Sequence, residues 1–431
     1  MVVAALAAAV FTAPALAAPP SVPGIDAPQL AALGPFGVGV ESLTLTQAGQ
    51  PDVLAYDPAK KSLPLRDRVL SIDVWYPAAT AAKAAPVIYD GALTGEDGKD
   101  VPFTTLGIAI RGAAPGAGSF PLVILAHGYG GTPVAMSWLA ENLASKGYVV
   151  VGPRFRDPPY GDAGGLLGPL ARRPLDIAFL AAEVQARARG RQGPFATADP
   201  QRTVLIGYSM GGYGVLTAAG AALDPRLGPL THGALGPYVA GGPQAAALKV
   251  KNVAAVVAIS PAGFFSGGEA WSEAGLSGVT APTLFIVGGQ DRIVGYDPGV
   301  KTLWDQAVHA PRYLLTLDNA GHSIGMNGAP ETMRGRLWDL DWWEDAVWRK
   351  ERVIGVQLHF ITAFLDRYVK GEAADAAFLD VPTPLSNDGA WPVKPGEPHA
   401  AFSPGPPVST VWKGFQHAHS AGLELRYAPA R

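Results

Sequence analysis

The sequence predicts an α/β protein in which a mostly parallel sheet of about eight strands carries helices on both faces. Short β-branched runs alternate with segments of helical periodicity, which is the pattern of strand–helix–strand units. Most of these runs are apolar at every position, as expected for strands buried on both faces. With 48% hydrophobic and 16% charged residues in 431 positions, the chain can form a large core and is not intrinsically disordered.

The predicted strands are short and end near Gly, Pro or polar turn residues. In chain order they cover residues 40–46, 69–76, 122–126, 148–152, 203–207, 253–259, 283–287 and 313–317. The predicted helices cover residues 135–146, 175–189, 210–223 and 353–369. The first helix shows the pattern clearly, because Met136, Leu139 and Leu143 fall on one face and Gly147 follows as a stop signal.

Both ends of the chain differ from this alternation. Residues 1–18 combine a short apolar run with small residues at 15–17, so we expect a signal peptide and a secreted or periplasmic protein. We expect one domain at 30–373 with a Trp-rich insertion at 324–350, and a Pro- and Gly-rich extension at 374–431 that runs over the surface. No other stretch is long enough to span a bilayer, so we expect no stable membrane insertion.

Charge and composition exclude several classes of partner. The 33 basic and 36 acidic side chains give a net charge of −3, so no basic excess exists to bind nucleic acid. The chain has no cysteine, which excludes disulfides, thiol nucleophiles and zinc sites with Cys ligands. We predict no metal site and no cofactor, and the sequence leaves the oligomeric state open.

One motif carries a strong chemical signal. The sequence GYSMG at 207–211 directly follows the fifth predicted strand and directly opens a predicted helix. In this strand–turn–helix context, a G-x-S-x-G pattern places its serine on a sharp turn above the strand ends. We therefore predict Ser209 as a nucleophile, with the N–H of Met210 at the helix N-terminus as a donor to a developing oxyanion.

A serine nucleophile needs a base, and the base needs an orienting carboxylate. His322 follows the strand at 313–317 and Asp291 follows the strand at 283–287. Because the carboxyl ends of parallel strands share one edge of a sheet, we expect both side chains near Ser209. In the predicted reaction Ser209 attacks an acyl carbonyl, His322 takes its proton, and water then hydrolyses the acyl-enzyme. The rival carboxylates for the place of Asp291 are Asp297, Asp318 and Glu269.

A second sequence at the same edge is typical of an oxyanion loop. His127 follows the strand at 122–126 and is itself followed by Gly128, Tyr129 and two further glycines. We predict the backbone N–H of Tyr129 as the second oxyanion donor beside that of Met210.

These motifs resemble those of the α/β-hydrolase superfamily, and within it the bacterial group related to platelet-activating-factor acetylhydrolase and to predicted dienelactone hydrolases. The resemblance lies in IDVWYP at 72–77, FPLVILAHG at 120–128, LASKGYVVV at 143–151 and the serine turn, and it extends over about residues 36–371. It implies an α/β-hydrolase fold and an esterase without a cofactor. Three departures are GPRFR at 152–156, where relatives often carry an acidic residue, the absence of the Cys nucleophile of true dienelactone hydrolases, and the Trp-rich insertion after His322 with the long C-terminal extension.

Aromatic side chains near the predicted site are candidates for substrate binding. They are Tyr129, Phe264, Phe265, Trp271, Trp338 and Trp342. A cap built from the Trp-rich insertion would favour small or medium acyl esters or aromatic esters. The same tryptophans would equally suit the packing of an added helix against the core, and their spacing does not separate the two interpretations.

Three hypotheses of function follow from these residues. The first is a secreted or periplasmic serine carboxylesterase acting on small or medium acyl esters or aromatic esters, with amidase and lactonase chemistry open to the same three side chains; its substrate is a small-molecule ester, and a polymeric ester belongs to the second hypothesis. The second is a polyester or plasticiser hydrolase, which needs an open cleft that a lid would obstruct. The third is a non-catalytic binding protein on this scaffold, and the intact set of Ser209, Asp291 and His322 argues against it.

Overall fold

The computed structural model of the protein describes eight stretches of the chain. They are residues 18–79, 84–94, 99–158, 165–265, 268–334, 342–390, 410–416 and 419–431. The predicted signal peptide at 1–18 lies outside them except for its last residue. Within these stretches, no helix combines the length and the apolar character that crossing a membrane requires.

The alternating pattern folds into a central sheet, which has ten strands among the described residues. Across the sheet their order is β14 (Leu423–Ala428), β13 (Arg312–Leu317), β12 (Thr283–Gly288), β9 (Val253–Ile259), β8 (Ala198–Tyr208), β6 (Phe120–Ala126), β7 (Val149–Arg154), β2 (Leu65–Ala78), β1 (Gly37–Pro51) and β5 (Ile110–Arg111). The six central strands, β13, β12, β9, β8, β6 and β7, run parallel to one another. At the two sides, β14 is antiparallel to β13, β2 is antiparallel to β7, and β1 is antiparallel to β2. The predicted fold class, an α/β-hydrolase fold, is confirmed, and all eight predicted strands are present.

Helices and two small hairpins complete the described architecture. The helices are α1 (Ser137–Ser145), α2 (Leu167–Arg189), α3 (Met210–Ala218), α4 (Leu227–Leu230), α5 (Glu273–Leu276), α6 (Lys301–Gln306), α7 (Lys350–Leu365) and α8 (Ala373–Ala376). The hairpins pair β3 (Ile88–Thr94) with β4 (Asp100–Leu106) and β10 (Phe264–Phe265) with β11 (Gly268–Glu269).

The sheet separates two hydrophobic cores, one on each face. Along β6, Val123 and Leu125 belong to one core while Leu122 and Ile124 belong to the other, and all four side chains are fully buried. Side chains of a strand point alternately to opposite faces, so both sets of alternate positions must be apolar when helices cover both faces. This is why the central strands show no alternation between apolar and polar residues in the sequence.

The expectation that the C-terminal extension runs over the surface is wrong for its last segment. β14 pairs antiparallel with β13, with Leu423 opposite Leu317 and Leu425 opposite Leu315. Leu423 and Leu425 are buried, and they alternate with polar side chains in the way of a half-buried strand. This alternation is only a few residues long and follows a Pro-rich stretch, so the sequence alone does not indicate a strand here.

A buried carboxylate ties the N-terminal segment and the β3 hairpin to the domain. Glu141 of α1 accepts hydrogen bonds at Oε1 from the Tyr89 hydroxyl (2.7 Å) and from the N–H groups of Ile108 (2.8 Å) and Ala109 (3.0 Å). Its Oε2 accepts a hydrogen bond from the Ser21 hydroxyl at 2.6 Å. Burial raises the pKa of Glu141, and these four hydrogen bonds oppose the rise.

The Glu141→Gln variant should therefore lose about 2–4 kcal/mol of unfolding free energy. The amide nitrogen of glutamine would face hydroxyl or N–H groups that now donate to the carboxylate, and at least one of these hydrogen bonds would be lost. The measurement is urea unfolding followed by circular dichroism. The matched control is Glu183→Gln, which removes a partly exposed ion pair with Arg187 on one helix and should cost less than about 0.5 kcal/mol. Equal midpoints for Glu141→Gln and the wild type would contradict the role of Glu141.

A buried histidine couples stability to pH. His359 of α7 accepts a hydrogen bond at Nδ1 from the N–H of Leu30, and burial, aided by the charge of Lys146, lowers the pKa of His359 from 6.5 to about 3. Between these values the unfolded chain binds a proton that the folded chain does not, so the unfolding free energy falls as the pH falls. His359→Gln keeps an acceptor without a titrating group, and it should reduce this fall by up to a few kcal/mol. Urea midpoints at pH values of about 7, 5.5 and 4.5 measure the effect, and equal pH slopes would contradict it.

Candidate active site

A strained turn places Ser209 at the carboxyl edge of the sheet. Ser209 lies between β8 and α3 with φ of 53° and ψ of −118°, a backbone conformation that residues other than glycine rarely adopt. A methyl group on Gly207 would lie 2.3 Å from the Gly211 oxygen, and one on Gly211 would lie 2.0 Å from the Ala126 oxygen. The backbone approaches itself so closely that only glycine fits at these two positions. The glycines of the GYSMG motif therefore allow the turn that presents the serine.

The structure brings the three predicted catalytic side chains into one hydrogen-bonded chain. His322 Nε2 lies 3.0 Å from Ser209 Oγ, and His322 Nδ1 lies 2.8 Å from Asp291 Oδ2. A carboxylate only accepts hydrogen bonds, so Nδ1 carries the ring proton and Nε2 keeps its lone pair toward the serine hydroxyl. This is the arrangement in which the histidine can take the serine proton.

Burial and backbone hydrogen bonds fix the carboxylate of Asp291. Its side chain is fully buried, and Oδ1 accepts hydrogen bonds from the N–H groups of Ile293 (3.0 Å) and Val294 (3.1 Å). Burial alone would raise the pKa of Asp291, but the hydrogen bond and charge of His322 and the backbone donors outweigh it and lower the pKa. The carboxylate is thus ionised at neutral pH and available to stabilise an imidazolium.

Two of the rival carboxylates have other partners. Asp297 lies 3.7 Å from Lys301 and is largely exposed, and the Glu269 carboxylate accepts hydrogen bonds from Gln306. Asp318, the third rival, accepts a hydrogen bond from the Trp348 indole at its backbone oxygen.

The loop that carries His322 is held by the insertion that follows it. The N–H of Gly321 donates to Asp345 Oδ2 at 2.6 Å, and the Ser323 hydroxyl donates to the Glu344 carbonyl at 2.8 Å. Sequence reasoning missed both contacts, because it treated the insertion only as a source of aromatic side chains. These hydrogen bonds make residues 344 and 345 part of the support of the histidine loop.

Both predicted oxyanion donors lie next to the nucleophile. Met210 is the first residue of α3, directly after Ser209. A methyl group on Gly128 would lie 3.2 Å from Ser209 Cβ, so the peptide that joins Gly128 to Tyr129 adjoins the nucleophile. The role of the two N–H groups as oxyanion donors stays a prediction.

The structure contradicts the expectation that Trp271 contacts substrate. Trp271 is fully buried, its indole N–H donates to Thr217 Oγ1 at 3.0 Å, and its ring packs against Tyr213. These contacts belong to the core beneath α3. The sequence does not distinguish the two locations, because a tryptophan in a loop after a strand can either line a substrate pocket or pack in the core.

The other aromatic candidates differ in their surroundings. Phe264 and Phe265 are half-buried in β10, and the Phe265 ring meets the edge of Tyr213 at 5.3 Å. Trp342 is half-buried and packs against the core on the α1 face, and Trp338 lies outside the described residues. Tyr129 is half-buried with its hydroxyl donating to the Pro158 carbonyl at 2.8 Å.

Sequence reasoning also missed a buried ion pair behind the oxyanion loop. β7 ends at Arg154, and the acidic residue that seemed to be lacking after this strand stands three positions later as Asp157. Asp157 pairs with the fully buried Arg173 of α2. Arg154 itself pairs with Asp73 at 2.6 Å, as a structural contact rather than a free cation.

The sheet order and the strained turn at Ser209 are those of an α/β-hydrolase fold. Residues 108–159 match the model of the family described as platelet-activating factor acetylhydrolase, isoform II. The match confirms the resemblance predicted from the sequence. It also supports, at the level of the family, the expectation of a carboxylic ester hydrolase.

No curated protein matches the sequence. Among solved structures, the chain is similar to a ferulic acid esterase from Streptomyces cinnamoneus, with 19% sequence identity and a TM-score of 0.49. That similarity covers 78% of this chain and 91% of the other.

Proposed function

We propose that this protein is a serine carboxylesterase that cleaves small or medium acyl esters or aromatic esters through an acyl-enzyme. The observation that carries the proposal is the hydrogen-bonded chain from Ser209 through His322 to Asp291. Such a chain is what acyl transfer to a serine requires, and the strained turn at Ser209 has no evident purpose in folding. Because residues 1–18 have the composition of a signal peptide, the enzyme we propose is secreted or periplasmic.

The reaction follows from the positions of the protons. Ser209 Oγ attacks the ester carbonyl carbon while His322 Nε2 takes the hydroxyl proton, and the N–H groups of Tyr129 and Met210 receive the oxyanion. The C–O bond to the alcohol then breaks, and the alcohol leaves with the proton from Nε2. Water repeats the attack on the acyl-enzyme with His322 as base, which releases the carboxylic acid and restores Ser209.

The test is hydrolysis of p-nitrophenyl esters from acetate to palmitate by the purified protein lacking residues 1–18. We expect turnover that is fastest for esters with short or medium acyl chains. The acyl chain length at the optimum reports the depth of the acyl pocket. Turnover of insoluble polyester in preference to the soluble esters would favour the polymer hypothesis. A preference for anilides or lactones over matched esters would contradict the ester assignment.

A further inference from the structure

The buried ion pair behind the oxyanion loop contacts the loop itself. Arg173 Nη2 donates to Asp157 Oδ2 and also to the Gly128 carbonyl at 3.1 Å. The same carbonyl lies 2.7 Å from His127 Nδ1. The Nε2 atom of that ring accepts a hydrogen bond from the Phe155 N–H at 3.3 Å, so Nδ1 carries the proton and donates to Gly128. These two side-chain donors, together with the Gly131 N–H at 3.3 Å, fix the direction of the Gly128 carbonyl.

The fixed carbonyl determines where the Tyr129 N–H points. In a trans peptide, the carbonyl of one residue and the N–H of the next lie in one plane and point in opposite directions. The Gly128 carbonyl points inward to Arg173 and His127, so the Tyr129 N–H of the same peptide points the opposite way. A methyl group on Gly128 would lie 3.2 Å from Ser209 Cβ, so the peptide that carries this N–H adjoins the nucleophile.

The other partner of the pair holds the next peptide of the loop. Asp157 Oδ2 accepts a hydrogen bond from the Gly130 N–H at 2.9 Å. The ion pair thus fixes Gly128 on one side of Tyr129 and Gly130 on the other. In addition, a guanidinium charge on the Gly128 carbonyl polarises the peptide and strengthens its N–H as a donor.

Stability alone is a poor explanation for a charged pair at this place. Arg173 is fully buried, and its Nε and Nη1 have no hydrogen-bond partner among the described residues. A buried ion pair with unsatisfied donors is often no more stabilising than apolar residues of the same volume. Its retention is better explained by the carbonyl that it orients.

We propose that Arg173, held by Asp157, is a positioning residue that sets the Tyr129 N–H as an oxyanion donor. The inference rests on the proposed esterase function and adds a residue that no motif identifies. Arg173 itself does not touch the reacting atoms, so its effect must appear in the stabilisation of the transition state and not in the binding of the ground-state ester.

The experiment compares Arg173→Met with the wild type and with Arg187→Met, a control that removes a half-buried arginine from the same helix. For a short p-nitrophenyl ester, we expect Arg173→Met to lower kcat by about 10²-fold, near the loss of one oxyanion donor, with KM changed less than about threefold. The affinity for a trifluoromethyl ketone, whose adduct with serine carries an oxyanion, should fall in parallel with kcat. Arg187→Met should change neither quantity.

A second variant keeps the test valid if Arg173→Met does not fold with Asp157 unpaired. The double variant Arg173→Met with Asp157→Asn removes both charges of the pair and keeps an acceptor for the Gly130 N–H. We expect the same loss of kcat and of ketone affinity, measured per mole of folded protein. A folded variant with wild-type kcat and ketone affinity would overturn the positioning role alone, whereas a wild type as inert as Ser209→Ala would overturn the esterase proposal with it.

Discussion

Replacing Ser209 by alanine is expected to lower kcat for an ester by about 10⁴–10⁶-fold. The hydroxyl lies 3.0 Å from His322 Nε2 and is the atom that forms the acyl bond in the proposed reaction. Without it, the histidine can only activate water, and residual catalysis would come from the oxyanion donors and from substrate binding. KM should change little, because the hydroxyl contributes little to binding the ground state.

The measurement is initial-rate hydrolysis of p-nitrophenyl butyrate by the wild type and by Ser209→Ala, with labelling by a fluorophosphonate as a second readout. Ser277→Ala is the matched control, because its hydroxyl donates to a nearby carbonyl on an exposed face. The control should keep full activity and full labelling. Labelling of Ser209→Ala at the wild-type rate would place the nucleophile elsewhere.

The sequence predicts the positions of the three site residues well, because each follows a strand that can be recognised by its composition alone. Ser209 follows β8, Asp291 follows β12 by a short turn, and His322 follows β13 in the same way. Parallel strands bring their carboxyl ends to one edge, so three residues far apart in sequence meet without any knowledge of side-chain packing.

The supports of the site could not be predicted in this way, because they come from irregular segments. Asp157 lies in a loop and Arg173 on a buried helix face, and no periodicity indicates that they meet behind Gly128. Asp345 reaches the histidine loop from an insertion without a recognisable pattern. Sequence periodicity reports which face of an element is apolar, but it does not report the direction of a polar side chain in a loop.

Asp291→Asn should lower kcat by a factor on the order of 10⁴ while leaving the fold intact. The carboxylate now accepts the Nδ1 proton of His322 at 2.8 Å. An asparagine that turns its amide N–H₂ toward Nδ1 would force the ring proton onto Nε2, where it would face Ser209 Oγ. The imidazole could then no longer take the serine proton, and the positive charge formed on it would lack its buried counter-charge.

Measuring kcat for variants of the rival carboxylates tests which carboxylate orients His322. Asp318→Asn and Glu269→Gln are matched controls, because each removes one negative charge near the carboxyl edge of the sheet without touching the hydrogen bond from Asp291 to His322. Both should keep kcat within about threefold of the wild type, since neither carboxylate is hydrogen-bonded to the histidine and partly exposed charges have small effects in water. A large loss in Asp318→Asn together with a small loss in Asp291→Asn would assign the orienting role to Asp318. The hydrogen bonds that Ile293 and Val294 donate to Asp291 Oδ1 argue for the opposite result, because they direct Oδ2 of that carboxylate toward the histidine ring.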